Sequence, residues 1–302
     1  MKYIIQADDF GLTKGITDNI LECFDQGALN STSIFANGHA FDYAIKEYRK
    51  RPELRLGIHL NLVEGKPILD SSKVSLLVNK EGEFCYSFVD LWRRYLLGNS
   101  QVKRDFKLQV KNELAAQINK VRQALGETFS LNIDSHLHYH MIPFVFDTLL
   151  ELNKDYHFEY IRLPEEPVFF LNERISNYSI NLFKNLLLNS LSRQYRNKYP
   201  YLQQHSCQYF IGVLYTGNMT TSSAQKAFER IDFNKKALGM IEILFHPGGA
   251  SFEEADFWRN RKELHSYYFS PWRDKEKEVL KDASFRAWIE RLSLNHENLS
   301  YH

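Results

Sequence analysis

Seven short apolar runs rich in β-formers alternate along this chain with stretches of helical period, and that alternation leaves few folds open. The runs lie at 2–7, 31–37, 54–62, 132–138, 160–164, 208–213 and 241–247, and the helical stretches at 13–28, 103–125, 144–155, 180–195, 220–236 and 274–292. In 13–28, Ile16, Ile20 and Phe24 share one face, with Gly27 near the end. In 103–125, Phe106, Val110, Leu114 and Ile118 recur every four residues, and Gly126 offers a stop. Strands alternating with helices predict right-handed βαβ crossovers and a parallel sheet, either open or closed into a barrel. With 302 residues and no linker, the chain reads as a single domain, 1–302, large enough to bury its own core.

Three segments break the rhythm. Residues 65–100 hold a turn-like Asn79-Lys80-Glu81-Gly82 and the aromatics Phe84, Tyr86, Phe88, Trp92 and Tyr95. This reads as an insertion covering a site, or one whose aromatics pack a small core of their own. Residues 250–302 read as a C-terminal extension with a closing helix. The stretch 174–228 contains no Asp or Glu but carries Arg174, Lys184, Arg193, Arg196, Lys198 and Lys226. A basic face there would suit a phosphorylated ligand, peripheral contact with an anionic membrane, or solvent alone.

Two adjacent carboxylates, Asp8-Asp9, stand where the first run ends, followed by Phe10-Gly11. Buried side by side they repel and lose hydration unless a cation or hydrogen bonds offset the charge, although the same tetrapeptide reads equally well as a simple turn. His59 sits in the apolar Gly57-Ile58-His59-Leu60-Asn61-Leu62, where a hydrogen-bonded core histidine is the plain alternative to a ligand. Asp134-Ser135-His136-Leu137-His138-Tyr139-His140 would place three imidazoles on one side of an extended chain. His246-Pro247-Gly248-Gly249 closes the last run. All four clusters fall at the carboxyl ends of expected parallel strands, which converge on one rim. One carboxylate and two imidazoles with open positions suggest a catalytic divalent metal, Mg2+ or Zn2+. The other carboxylate and His246 would then supply base and acid.

Charge narrows the partners. With 38 basic and 37 acidic residues, the chain is too balanced for a nucleic-acid binder that works by neutralising phosphates. Cys23, Cys85 and Cys207 form no metal or disulfide pattern, and no run approaches the roughly 20 apolar residues of a membrane span, so a cytoplasmic protein is expected.

Taken in order, Ala7-Asp8-Asp9-Phe10-Gly11-Leu12, Ser31-Thr32-Ser33, Gly57-Ile58-His59-Leu60, Asp134 to His140 with Pro143, and His246-Pro247-Gly248 resemble the YdjC-like carbohydrate deacetylases, from about residue 2 to residue 249. The stretch Arg273-Asp274-Lys275-Glu276 is similar to the C-terminal portion of that family. The resemblance implies an α/β fold, a deformed (β/α) TIM-like barrel with about seven parallel strands. It further implies a single divalent metal and hydrolysis of an N-acetyl group on a sugar. Carried over, it makes Asp9, His59 and His136 the metal ligands, Asp8 the general base and His246 the general acid. His138, His140, Asn61 and Trp92 are expected to touch substrate or support the ligands. The excursion 252–272, with Trp258, Arg259, Arg261, Tyr267 and Tyr268, and the acid-free 174–228 depart from the family pattern. They widen the expected substrate to an acetylated amino sugar that is an oligosaccharide, a phosphosugar or lipid-linked. A homodimer is also compatible with this reading. Rival readings are a metal-dependent phosphoesterase or cyclic amidohydrolase on the same barrel, and a non-catalytic carbohydrate-binding barrel.

Overall fold

The computed structural model describes residues 2–171, 177–232 and 239–299, the last five of these as backbone only. In chain order the elements are β1 (Lys2–Phe10), α1 (Lys14–Gln26), β2 (Ser31–Ile34), α2 (Phe41–Tyr48), β3 (Arg55–Leu60), α3 (Phe88–Leu97), α4 (Ser100–Leu125), β4 (Asn132–Ser135) and α5 (Pro143–Tyr156). There follow β5 (Tyr160–Ile161), α6 (Tyr178–Lys198), β6 (Tyr209–Ile211), α7 (Thr221–Glu229), β7 (Met240–Phe245), α8 (Lys262–Tyr268), α9 (Pro271–Lys281) and α10 (Ala283–Leu299).

Seven strands form one sheet in the order β5-β4-β3-β2-β1-β7-β6, and every pairing is parallel. A strand covered on both faces reads as a continuous apolar run, and β1 is buried along its whole length after Lys2. The sheet curls into a deformed barrel whose β5 and β6 edges form no ladder among the described residues. Loop contacts span that gap: Ile161 N donates to His205 O at 2.8 Å and Phe210 N to Glu165 O at 3.0 Å.

All seven expected strands are present, but 132–138 does not run extended to its end. Strand β4 stops at Ser135, and His136–Met141 form a 3-10 turn in which Leu137 (φ 49°) and His138 (φ 58°) are left-handed. The three histidines therefore do not share one face. The expected closing helix at 274–292 is two helices, because the Asp282 side chain accepts from Ser284 N and Phe285 N and starts a new one. Of the expected helix 220–236, residues 221–229 are helical and 233–238 lie outside the described residues. Helices α2, α3 and α8 have no counterpart among the expected ones: α2 lies outside every expected element, α3 in the stretch read as an insertion and α8 in the excursion 252–272.

In the insertion, Phe84 is fully buried while α3 carries Phe88 and Val89 toward the carboxyl ends of the strands. Most basic side chains of the acid-free stretch are paired with carboxylates from elsewhere: Arg193 and Arg196 with Glu165, Lys198 with Asp147, and Lys226 with Glu229. Arg174 lies outside the described residues. No described helix is long and apolar enough to cross a membrane.

Candidate active site

Adjacent residues of a regular strand face opposite ways, yet both Asp8 and Asp9 reach the same rim. A bulge makes this possible. The β1–β2 register shifts between Ala7 and Phe10, and Asp9 takes φ 75°, a left-handed conformation that aspartate tolerates better than most residues. The register also sets His59 beside Asp134 and ends β7 so that His246 follows Phe245, the partner of Ala7.

Arg162, fully buried just after β5, ties the floor together. Its guanidinium grips Asp8 through two bonds of 2.7 and 2.8 Å and reaches Asp134 at 2.8 Å and Glu242 at 2.7 Å. Tyr160 also donates to Glu242. Burial alone would raise the Asp8 carboxyl, but Arg162 and then His59 more than offset it and hold it below the usual carboxylate range. Asp9 behaves alike: burial raises it, while the His136 hydrogen bond and the charge of Arg273 bring it well below. Arg273 donates to Asp9 Oδ2 at 3.0 Å and to Gly248 O at 2.7 Å. Gly248 (φ 72°) has no room for a side chain, since a Cβ would meet Asn19 at 2.2 Å.

Asp9, His59 and His136 each point one ligand atom at a common spot, and those atoms lie within 4.8 Å of one another. The tautomers suit a metal. His59 Nδ1 lies 2.5 Å from Asp134 Oδ1, which places its proton there and leaves the Nε2 lone pair facing Asp9. His136 Nε2 lies 3.1 Å from Glu64 Oε1, leaving Nδ1 to face Asp9 Oδ1 at 3.4 Å. Burial pushes the His136 imidazole down, but hydrogen bonds with Asp9 and Glu64 reverse this and hold it up at about 9, so a bound cation would take the place of the Nδ1 proton. Asp9 Oδ1 is buried with no hydrogen bond of good geometry among the described residues, a costly state that a cation would relieve. The donor set therefore fits a divalent ion. A second cluster, Asp8, His59 and Asp134, is already served by Arg162.

Asp8, His136 and His246 open on a cleft of about 390 Å³. His246 is buried, its Nδ1 has no hydrogen-bond partner among the described residues, and burial, only partly offset by Asp9, pushes it down to about 4. Its backbone N–H donates to Glu276 at 2.6 Å. His138 lines the same cleft, whereas His140 is turned into the wall, bonded to Ser135 Oγ at 2.6 Å and Arg162 O at 2.8 Å. Asn61 is committed to its own loop, donating to Glu64 O and Asn37 and accepting from Val63 N and Glu64 N. Trp92 packs edge-on against Phe88 and is not among the cleft-lining residues.

Sequence reasoning missed four supporting residues: Arg162, Glu64, Arg273 and Glu276. Glu64 holds His136 and is itself held by Trp258 Nε1 and Tyr268 Oη, each at 2.6 Å. The aromatic excursion that looked foreign to the pattern is thus a clamp behind a candidate ligand. Arg273 and Glu276 stood in the noted C-terminal stretch, and their spacing of three along a helix, which puts both on one face, was the available signal.

Comparison with known proteins gives the family and the fold. The profile of a family described as YdjC-like protein matches residues 2–291. A carbohydrate deacetylase of Oceanobacillus iheyensis is 29% identical over 96% of this chain and 100% of its own length. One of Geobacillus stearothermophilus is 37% identical over 55% of this chain and 59% of its own length. A solved structure from Enterococcus faecalis, described as a cellobiose-phosphate cleavage protein, shares the fold with a TM-score of 0.67. It is 22% identical and the match covers 96% of this chain and 94% of that one.

Proposed function

The chain belongs to the YdjC-like family, and from that premise we propose that it is a carbohydrate deacetylase. It removes the N-acetyl group from an acetylated amino sugar, whether oligosaccharide, phosphosugar or lipid-linked, and releases acetate. Relatives described as carbohydrate deacetylases support the reading. The observation that carries it is the convergence of Asp9, His59 and His136 beside a cleft that also holds Asp8 and His246.

One divalent ion, Mg2+ or Zn2+, held by Asp9, His59 and His136, would polarise the acetyl carbonyl and acidify a water. Asp134 and Glu64 fix the two imidazole tautomers that such an ion requires. Asp8, kept ionised and oriented by the Arg162 fork, accepts the proton of the attacking water. His246 gives a proton to the departing amine. A second assignment has its own observation: His246 Nδ1 is buried with no hydrogen-bond partner among the described residues, burial holds the imidazole below its ordinary value, and both Asp8 oxygens are already bonded to Arg162. In that version His246 takes the water's proton and returns it to the amine, while Asp8 supplies fixed negative charge. Unpaired cysteines at 23, 85 and 207 support a reducing, cytoplasmic setting.

The test is acetate release from acetylated mono-, oligo- and lipid-linked amino sugars by protein stripped of metal and then reconstituted. Acetate that appears only after reconstitution is the expected result. Phosphate release in its place would favour the phosphoesterase rival, and sugar binding without product would favour a non-catalytic barrel. Asp8→Asn and His246→Asn separate the two proton assignments. If Asp8→Asn keeps near-normal turnover and His246→Asn loses it, the second assignment replaces the first.

A further inference from the structure

The first turns of helix α6 bury amides and expose apolar side chains, although Leu188, Leu191 and Tyr195 further along are buried. The inward face carries Asn181, Asn185 and Asn189, whose amides bond to Leu214 O, Glu166 and Glu166 O. On the outward side of these turns Ile180 and Phe183 are 60% and 67% exposed, beside Lys184. An amphipathic helix normally turns such residues to the core, so an outward pair calls for something to cover it. Both residues line the outer part of the cleft whose floor holds Asp8, His136 and His246, so whatever fills that space also reaches the catalytic groups.

The facing walls repeat the pattern. Val89, 62% exposed, comes from α3 of the insertion. Leu137, 44% exposed, is held at the cleft in a left-handed conformation that costs a non-glycine residue about 1 kcal/mol or more. Lys184 is the charged residue lining this outer part, and among the described lining residues the carboxylate is Asp8, at the floor. Sugar hydroxyls laid against Val89, Leu137, Ile180 and Phe183 would give up water without gaining partners from them, whereas hydrocarbon would gain by burial.

We propose that the outer cleft binds an apolar aglycone, so that the preferred substrate is an amphiphilic N-acetylated amino sugar bearing a hydrocarbon chain. This rests on the deacetylase reading and narrows its substrate class. The experiment compares methyl, butyl and octyl β-glycosides of N-acetylglucosamine with diacetylchitobiose, below micellar concentrations, by acetate release and by calorimetric binding. The expected result is a kcat/KM that rises by up to about fourfold per methylene over the first carbons, and at least tenfold from methyl to octyl. Phe183→Ser and Val89→Ser should shrink the octyl-to-methyl ratio to below about threefold. Leu186→Ser, on the same helix but outside the cleft lining, should leave the ratio as it is.

Equal kcat/KM for methyl and octyl glycosides, or diacetylchitobiose outperforming the octyl compound, would overturn the proposal. Should no compound release acetate, the deacetylase reading fails and calorimetry decides the cleft separately. Octyl binding at least tenfold tighter than methyl would sustain an apolar subsite, and equal binding would remove it.

Discussion

The floor and the mouth of the cleft are built on opposite terms. On the floor, strand ends supply Asp8, Asp9, His59 and His136 and the body of β7 supplies Glu242, and Arg162 and Arg273 bind the carboxylates into one buried network. At the mouth, the insertion and α6 supply Val89, Ile180 and Phe183, exposed and joined to nothing polar. On the proposed reading, the sheet fixes the chemistry and selectivity is left to α3 and α6. Changes to the floor should therefore cost stability and turnover together, and changes to the mouth should alter preference alone.

The largest effect is expected from Arg162→Met. It leaves Asp8, Asp134 and Glu242 buried without their cation, and loss of one partner from such a group costs about 3–5 kcal/mol, readable as a fall in urea midpoint. An unchanged midpoint would show that the floor is not held as described. Next comes a pair that splits ligand from base: His136→Ala should abolish metal uptake and turnover, while Asp8→Asn should keep the metal and lose about a hundredfold or more in kcat. Metal retained by His136→Ala would break the ligand assignment. Glu64→Gln and Trp258→Phe should weaken metal binding by about 10- to 100-fold through His136, with the fold intact by circular dichroism.

A pH series sharpens the contrast further. Asp8 and Asp9 are held below the ordinary aspartate value of 3.8, so their stabilising share is present above that pH and fades as pH falls below it. Glu166, which accepts from Gly212 N and Leu214 N beneath α6, is pushed by burial from 4.5 up to about 7. Its cost is absent below about 4.5 and complete above about 7, so it removes stability as pH rises. Urea midpoints at pH 5 and pH 8 should show Glu166→Gln losing that slope even where it lowers the midpoint itself. The smallest effect belongs to Phe183→Ser, which should shift stability by less than about 0.5 kcal/mol.

What could be read from the residues follows the same division. The seven strands were legible because a buried parallel strand is an unbroken apolar run, and the four chemical clusters because they interrupt those runs at one end. The histidine triplet misled because period-two alternation was extended past Ser135, where the backbone had already left the β region. Arg162, Glu64 and Arg273 escaped because a buried charge is recognised by partners up to 264 positions away, which no local pattern encodes. In α6 the helical period was legible but the inward side was not. Spacing tells which residues share a side of a helix, and only the buried Glu166 tells which side turns inward.

The clamp formed by residues 258–276 makes the site a long-range assembly. Asp9, His59 and His136 belong to the first half of the sequence, yet Trp258 and Tyr268 hold Glu64 behind His136, Arg273 holds Asp9, and Glu276 holds the His246 backbone. The central strand β1 also needs β7 to complete its pairing. A chain cut before β7 would therefore carry these reactive groups without the partners that gather them.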